Sequence, residues 1–173
     1  MSRTVDILHR IQNITLSFEL PIDLWDSLQE DVKMKIASGW ENIKFLNEAG
    51  DAINENFNLV PNDCGGIYVF LLKPDLIADM HRYIMYIGRA RRQENFSLRK
   101  RCRTYFSDKE RPRVANMIET WGKKLYLYYL PIRDSDDVIE RIEKELLRVI
   151  RPPCNSQLPQ CYIGESKNLF GGE

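Results

Sequence analysis

Apolar positions early in the chain recur at helical spacing. Val5, Ile7, Leu8, Ile11 and Ile14 fall on one face, and Leu24, Trp25, Leu28, Val32 and Ile36 on another, with Pro21 between the two sets. A third short helix is expected over residues 40–46, after Gly39, and residues 54–61 read as Asn-rich connecting chain. From Gly65 the period changes. Residues 66–72 form an unbroken β-prone run ended by Lys73-Pro74-Asp75, and residues 83–87 form a second, so the two are expected to pair as antiparallel neighbours. Residues 97–106 predict a short basic helix with Ser97 as N-cap, Pro112 opens another helix to Trp121, and Gly122 stops it. A third strand follows over 124–130. Asp134 or Ser135 caps a last helix over 136–150, halted by Pro152-Pro153. The order β-β-α-α-β-α predicts an α+β fold built on a small three-stranded antiparallel sheet flanked by helices, preceded by a helical appendage.

A length of 173 residues with 43% apolar and 10% aromatic content suffices for one cored domain with an appendage and excludes a disordered tail. There is no run of about 18 apolar residues and no secretory pattern at Met1-Ser2-Arg3-Thr4-Val5-Asp6, so a soluble, cytoplasmic protein without a membrane partner is expected. Cys64, Cys102, Cys154 and Cys161 form no C-x-x-C pair and His9 and His81 lie far apart. No zinc spacing results, and the thiols are read as buried or idle.

The net charge of zero conceals an asymmetry. Residues 1–64 carry five cationic against eleven acidic side chains, a balance of −6; the remainder carries twenty against fourteen, a balance of +6. The basic part suits a polyanion, and the acidic front suits a far face, a protein partner or self-association. Seven cations (Arg89, Arg91, Arg92, Arg99, Lys100, Arg101 and Arg103) stand against Glu94 alone in residues 89–103. Read as phosphate ligands, about six of them would make binding fall by roughly 10³-fold between 50 and 200 mM salt; read otherwise, they are a solvated face.

The last helix holds Glu140, Glu143 and Glu145, of which only Glu143 stands on the apolar stripe, with Ile139, Leu146, Leu147 and Ile150 around it. A half-buried carboxylate needs a cation, so Glu143 is either a ligand for a hard divalent metal or the partner of an arginine at the core edge.

Gly66-Ile67-Tyr68 and Tyr86-Ile87-Gly88, the arginine segment 97–106 with Arg101, Glu143, and the stop Arg151-Pro152-Pro153-Cys154-Asn155 together resemble the GIY-YIG nuclease family over residues 65–158. The resemblance implies a nuclease domain over 65–158, with an acidic helical extension over 1–64 and a tail over 159–173. It further implies cleavage of DNA, with RNA open as well, through one Mg²⁺ or Mn²⁺ held by Glu143. Tyr68 would be the general base, or its orienting partner, with a phenol pKa lowered by Arg89 and Arg101. Tyr86 would hydrogen-bond the water or the phosphate, and Arg101 would hold phosphate oxygens. Asn155 would fix the geometry by hydrogen bonding, and Tyr105 would touch the phosphate. Arg89, Arg91, Arg92, Lys100 and Arg103 would bind the backbone. The chain departs from the family in having Arg89 where many members have a lysine, and in carrying extra residues at 73–80 and 91–96; both loops would lie near the substrate. The alternative is a non-cleaving nucleic-acid- or protein-binding module that keeps the fold.

Overall fold

The computed structural model describes residues 14–78, 80–92, 96–108 and 110–159. The first expected helix, Cys161 and the tail beyond residue 159 lie outside them. The fold is α+β. Helices α1 (Ile22–Trp25) and α2 (Glu30–Ile36) precede strand β1 (Glu41–Lys44) and a 3₁₀ turn (Glu55–Leu59); then come β2 (Gly65–Leu72), β3 (Tyr83–Ala90), α3 (Leu98–Thr104), α4 (Pro112–Trp121), β4 (Leu125–Ile132) and α5 (Asp136–Ile150).

The sheet has four strands in the order β1-β4-β2-β3, all neighbours antiparallel, where three were expected. The extra strand comes from the segment read as a helix over residues 40–46. That segment is too short to hold a helix unaided. Its Ile43 and Phe45 alternate to bury on the sheet, while the open edge of β4 supplies partners from Glu41↔Tyr129 to Lys44↔Tyr126. Tyr129 also donates its hydroxyl hydrogen to Glu41 Oε2 at 2.9 Å. The sheet therefore begins ahead of residue 65. The helical reading of residues 24–36 also resolves into two pieces, α1 and α2. Trp25 Nε1 donates to the Val149 carbonyl at 3.1 Å, and Asp31 pairs with Arg141 at 2.6 Å, so both pieces are tied to α5.

β2 is apolar throughout because it is central and covered on both faces. On one side Tyr68 and Phe70 pack with Met85, Leu98, Cys102, Tyr105 and Met117, beneath α3 and α4. On the other, Ile67 and Val69 pack with Ile139, Ile142, Leu146 and Leu147 of α5 and Val32 of α2. Cys64, Cys102 and Cys154 are buried free thiols. β3 is the outer strand, and its exposed edge is covered by chain following α5. Cys154 N donates to the Met85 carbonyl at 3.0 Å. Asn155 Nδ2 donates to the Ile87 carbonyl at 2.8 Å, and Asn155 Oδ1 accepts from Ile87 N at 3.0 Å. Phenols on one face of the sheet and α5 carboxylates on the other can thus approach each other around this edge.

Candidate active site

The two glycines of the tripeptides have steric causes. Gly66 has φ +152°, and a Cβ there would come within 2.1 Å of the Leu130 carbonyl oxygen. Gly88 stands opposite Tyr68 in the β2–β3 register, and the Tyr68 ring lies across it: an added Cβ would be 2.5 Å from the ring carbon Cζ. Tyr86, two residues before Gly88, is the diagonal neighbour of Tyr68 on the same face, with ring centroids 6.4 Å apart. Ser97 caps α3 by accepting from Lys100 N at 3.2 Å, as its sequence position suggested. That helix brings Arg101 and Tyr105 over the same face.

Three phenols then form a chain. Arg101 Nε donates to the Tyr68 hydroxyl at 3.3 Å, the Tyr68 and Tyr105 hydroxyls are 2.7 Å apart, and Tyr105 donates to Tyr86 at 3.1 Å. Each phenol has one hydrogen, so Tyr105 giving its own to Tyr86 requires Tyr68 to give its hydrogen to Tyr105. Tyr86 is left with a hydrogen to present outward. It is also the one of the three that is partly exposed.

Across β3, Arg89 bonds Glu143 Oε2 through Nη1 and lies 3.2 Å from Glu140 through Nη2. Glu143 therefore has the arginine partner that its sequence position allowed as one of two options. Burial pushes its carboxyl above the ordinary value, and the Arg89 charge and hydrogen bond reduce that rise without cancelling it.

Tyr68, Tyr86, Arg89, Arg91, Arg101, Glu143 and Asn155 all line one cavity of about 930 Å³ at the β3 edge. Other expected contributors do not reach it. Tyr105 is 2% exposed and lies behind the wall, so it holds the two other phenols and has no surface for a phosphate. Lys100 and Arg103 are exposed on the outer side of α3. Arg92 is exposed, with its backbone N–H bound to Asp136 and its guanidinium to the Arg133 carbonyl. Arg99 donates to the Val60 and Asn58 carbonyls and ties α3 to the preceding loop.

The expected lowering of the Tyr68 pKa is reversed. Tyr68 is fully buried, and burial raises its phenol well above the ordinary value; Tyr105 and Tyr86 add to the rise, and Arg101 opposes it. Arg89 is committed to the carboxylates of α5. Residues 73–80 contribute nothing to the cavity among the described residues: Lys73 packs over the Tyr126 ring instead. The second extra loop does contribute, through Arg91 and Phe96.

Sequence reasoning passed over Glu140, Lys144, Arg111 and Arg113, which also line the cavity. Glu140 precedes Glu143 by three residues and so shares its helix face, a signal that was legible. The arginines open α4, and only the packing of α4 against the sheet brings them here. Among the described residues no group of three or more His, Cys, Asp or Glu side chains is placed to hold a metal. A hard cation that takes one or two carboxylates and completes its shell with water and phosphate oxygens fits Glu143, with Glu140 beside it. No described helix is long and apolar enough to cross a membrane. Set against models of protein families, curated proteins and solved structures, the chain gives no match.

Proposed function

We propose that this protein is a divalent-metal-dependent endonuclease that hydrolyses phosphodiester bonds in DNA through a GIY-YIG-type site. One observation carries the reading: Tyr68, Tyr86, Arg101, Glu143 and Asn155, drawn from five separate stretches of sequence, share one cavity with a surplus of cationic side chains. A half-buried acid, held so far by one arginine, and a half-buried guanidinium with no carboxylate partner among the described residues face a common space, an arrangement suited to a ligand that uses both.

Arg101, tethered through Nε to Tyr68, has its Nη groups available to hold the phosphate and to stabilise charge on its oxygens as the bond breaks. Tyr86 presents its hydroxyl hydrogen to the water or to a phosphate oxygen. Tyr68 and Tyr105 hold Tyr86 in that orientation as neutral phenols, because burial opposes loss of either proton. Asn155 fixes the backbone of β3 at Ile87, beside Tyr86. Glu143 is the residue to hold Mg²⁺ or Mn²⁺, exchanging its Arg89 contact for the metal. When bound, the ion would supply Lewis-acid stabilisation of the leaving oxygen.

The test is a plasmid-nicking assay with Mg²⁺ or Mn²⁺. Nicking should require the metal and disappear in Glu143→Ala, while DNA retention and the fold persist. Equal cutting by that variant would defeat the metal-ligand assignment. A second reading, a non-cleaving nucleic-acid- or protein-binding module of this fold, is favoured by two features: Glu143 already has a cationic partner, and Tyr68 has no solvent contact. DNA retention without nicking in either metal would establish it.

A further inference from the structure

The cations that line the cavity differ in what they face. On the α5 side charge is largely cancelled: Arg89 binds Glu143 and approaches Glu140, Lys144 lies 2.9 Å from Glu140, and Arg91 lies 3.7 Å from it. On the opposite wall stand Arg101, Arg111 and Arg113, with Glu110 beside them, which leaves a surplus of positive charge there. Arg111 Nη1 is buried and makes no hydrogen bond among the described residues, its one ionic contact there being with Asp108 at 3.6 Å. A buried donor without an acceptor is unfavourable and calls for an explanation. Arg113 gives one hydrogen bond, Nη1 to the Asn155 carbonyl at 3.2 Å, which uses a small part of its five-donor fork. Arg101 and Arg111 share the Tyr105 ring, each with its guanidinium carbon 5.2 Å from the centroid, so they stand at most about 10 Å apart. That ring is buried and fixed at its hydroxyl, which holds both cations in place.

The volume of about 930 Å³ is at the upper end of the range for a ligand pocket and far exceeds one phosphate. Neighbouring phosphates of a strand are separated by the winding backbone as well as by the rise of about 3.4 Å along the axis, so their spacing is larger than that rise and suits two guanidinium groups no more than about 10 Å apart, one phosphate on Arg101 and the next on Arg111.

We infer that Arg111 and Arg113 form a second phosphate subsite, occupied by the backbone phosphate adjacent to the one cleaved. This rests on the nuclease reading and specifies its substrate as a polynucleotide strand, not a lone phosphodiester. Arg111 supplies a donor that no protein hydrogen bond uses, and Arg113 supplies further donors while positioning Asn155.

The test measures binding of a short DNA duplex to the full chain carrying Glu143→Gln, with and without Arg111→Ala, as a function of salt. A second duplex carries a neutral methylphosphonate beside the cleavage position. Arg111→Ala should weaken binding about tenfold and reduce the salt slope by about 0.9, the value for one phosphate contact. The methylphosphonate should weaken the parent by a similar factor and cost Arg111→Ala nothing further. Arg111→Lys, which keeps the charge, should restore the salt slope, and equal melting temperatures would show the fold intact. An unchanged affinity in Arg111→Ala, or effects of variant and methylphosphonate that multiply, would overturn the subsite. Failure of the wild type to nick any DNA in Mg²⁺ or Mn²⁺ would overturn the nuclease reading and with it the placement of the subsite beside a cleaved phosphate, whereas the salt slope of Arg111→Ala judges separately whether a backbone phosphate is held at Arg111. Failure of the parent to hold DNA at all would overturn both.

Discussion

Gly88→Ala should damage the protein through one side chain, Tyr68. The new Cβ would stand 2.5 Å from both Cζ and the hydroxyl oxygen of Tyr68, and 2.8 Å from Cε2. The ring cannot yield easily, since it is fully buried and packed against Phe70, Tyr86 and Tyr105. Overpacking of this kind costs about 1–3 kcal/mol. Moving the ring also strains the 2.7 Å contact with Tyr105 and the 3.3 Å contact with Arg101, worth together about 1–2 kcal/mol. The total of about 2–5 kcal/mol translates, at about 2–4 °C per kcal/mol for a chain of this size, into a melting temperature lower by roughly 4–20 °C. Circular dichroism in a thermal scan reads this directly. A double-mutant cycle isolates the cause. In a Tyr68→Ala background the ring is gone, so Gly88→Ala should cost almost nothing, since alanine is otherwise no worse than glycine within a strand. Tyr68→Phe should give no such relief, because Cζ and Cε2 remain. The reasoning is refuted if Gly88→Ala melts within about 1 °C of the wild type, or costs as much without the Tyr68 ring as with it.

Three further outcomes follow from the same geometry. Tyr105→Phe removes the hydroxyl that joins Tyr68 to Tyr86; it should lower stability by about 1–3 kcal/mol and nicking by about tenfold or more, with DNA retention unchanged, and wild-type nicking would show that the linkage is not needed. Asn155→Ala exposes both backbone groups of Ile87 on the edge strand; it should cost about 2–4 kcal/mol in urea unfolding and remove the hydrogen-exchange protection of the Ile87 amide, and retained protection would contradict the clamp. Glu143→Gln tests the direction of the carboxyl shift. Burial raises the folded-state pKa, so the wild type is most favoured below the unfolded value of about 4.3 and loses stability as pH rises through the folded value. The glutamine variant lacks this loss, so its melting temperature relative to the wild type should climb from pH 4 upward; a decline would mean that the Arg89 contact outweighs burial.

The sequence by itself determined the elements whose periodicity leaves no choice. The strand at residues 66–72 and the last helix at 136–150 emerged where expected because each has a long apolar pattern of one period, and Ser97 caps its helix through a local side-chain bond. Glu143 was legible as a half-buried acid because helical spacing alone sets the face it occupies. The tertiary structure decided what depends on partners distant in sequence. Residues 41–44 carry an alternation short enough to read either way, and the open edge of β4 made them a strand. Which cation stands by Glu143, and whether burial or charge governs Tyr68, depend on which side chains the sheet edge brings within about 4 Å, where low dielectric makes desolvation and pairing comparable in size. For the same reason Arg111 and Arg113 were unmarked in the sequence: two arginines at a helix start look like any solvated turn until α4 sets them across a cavity from a half-buried acid.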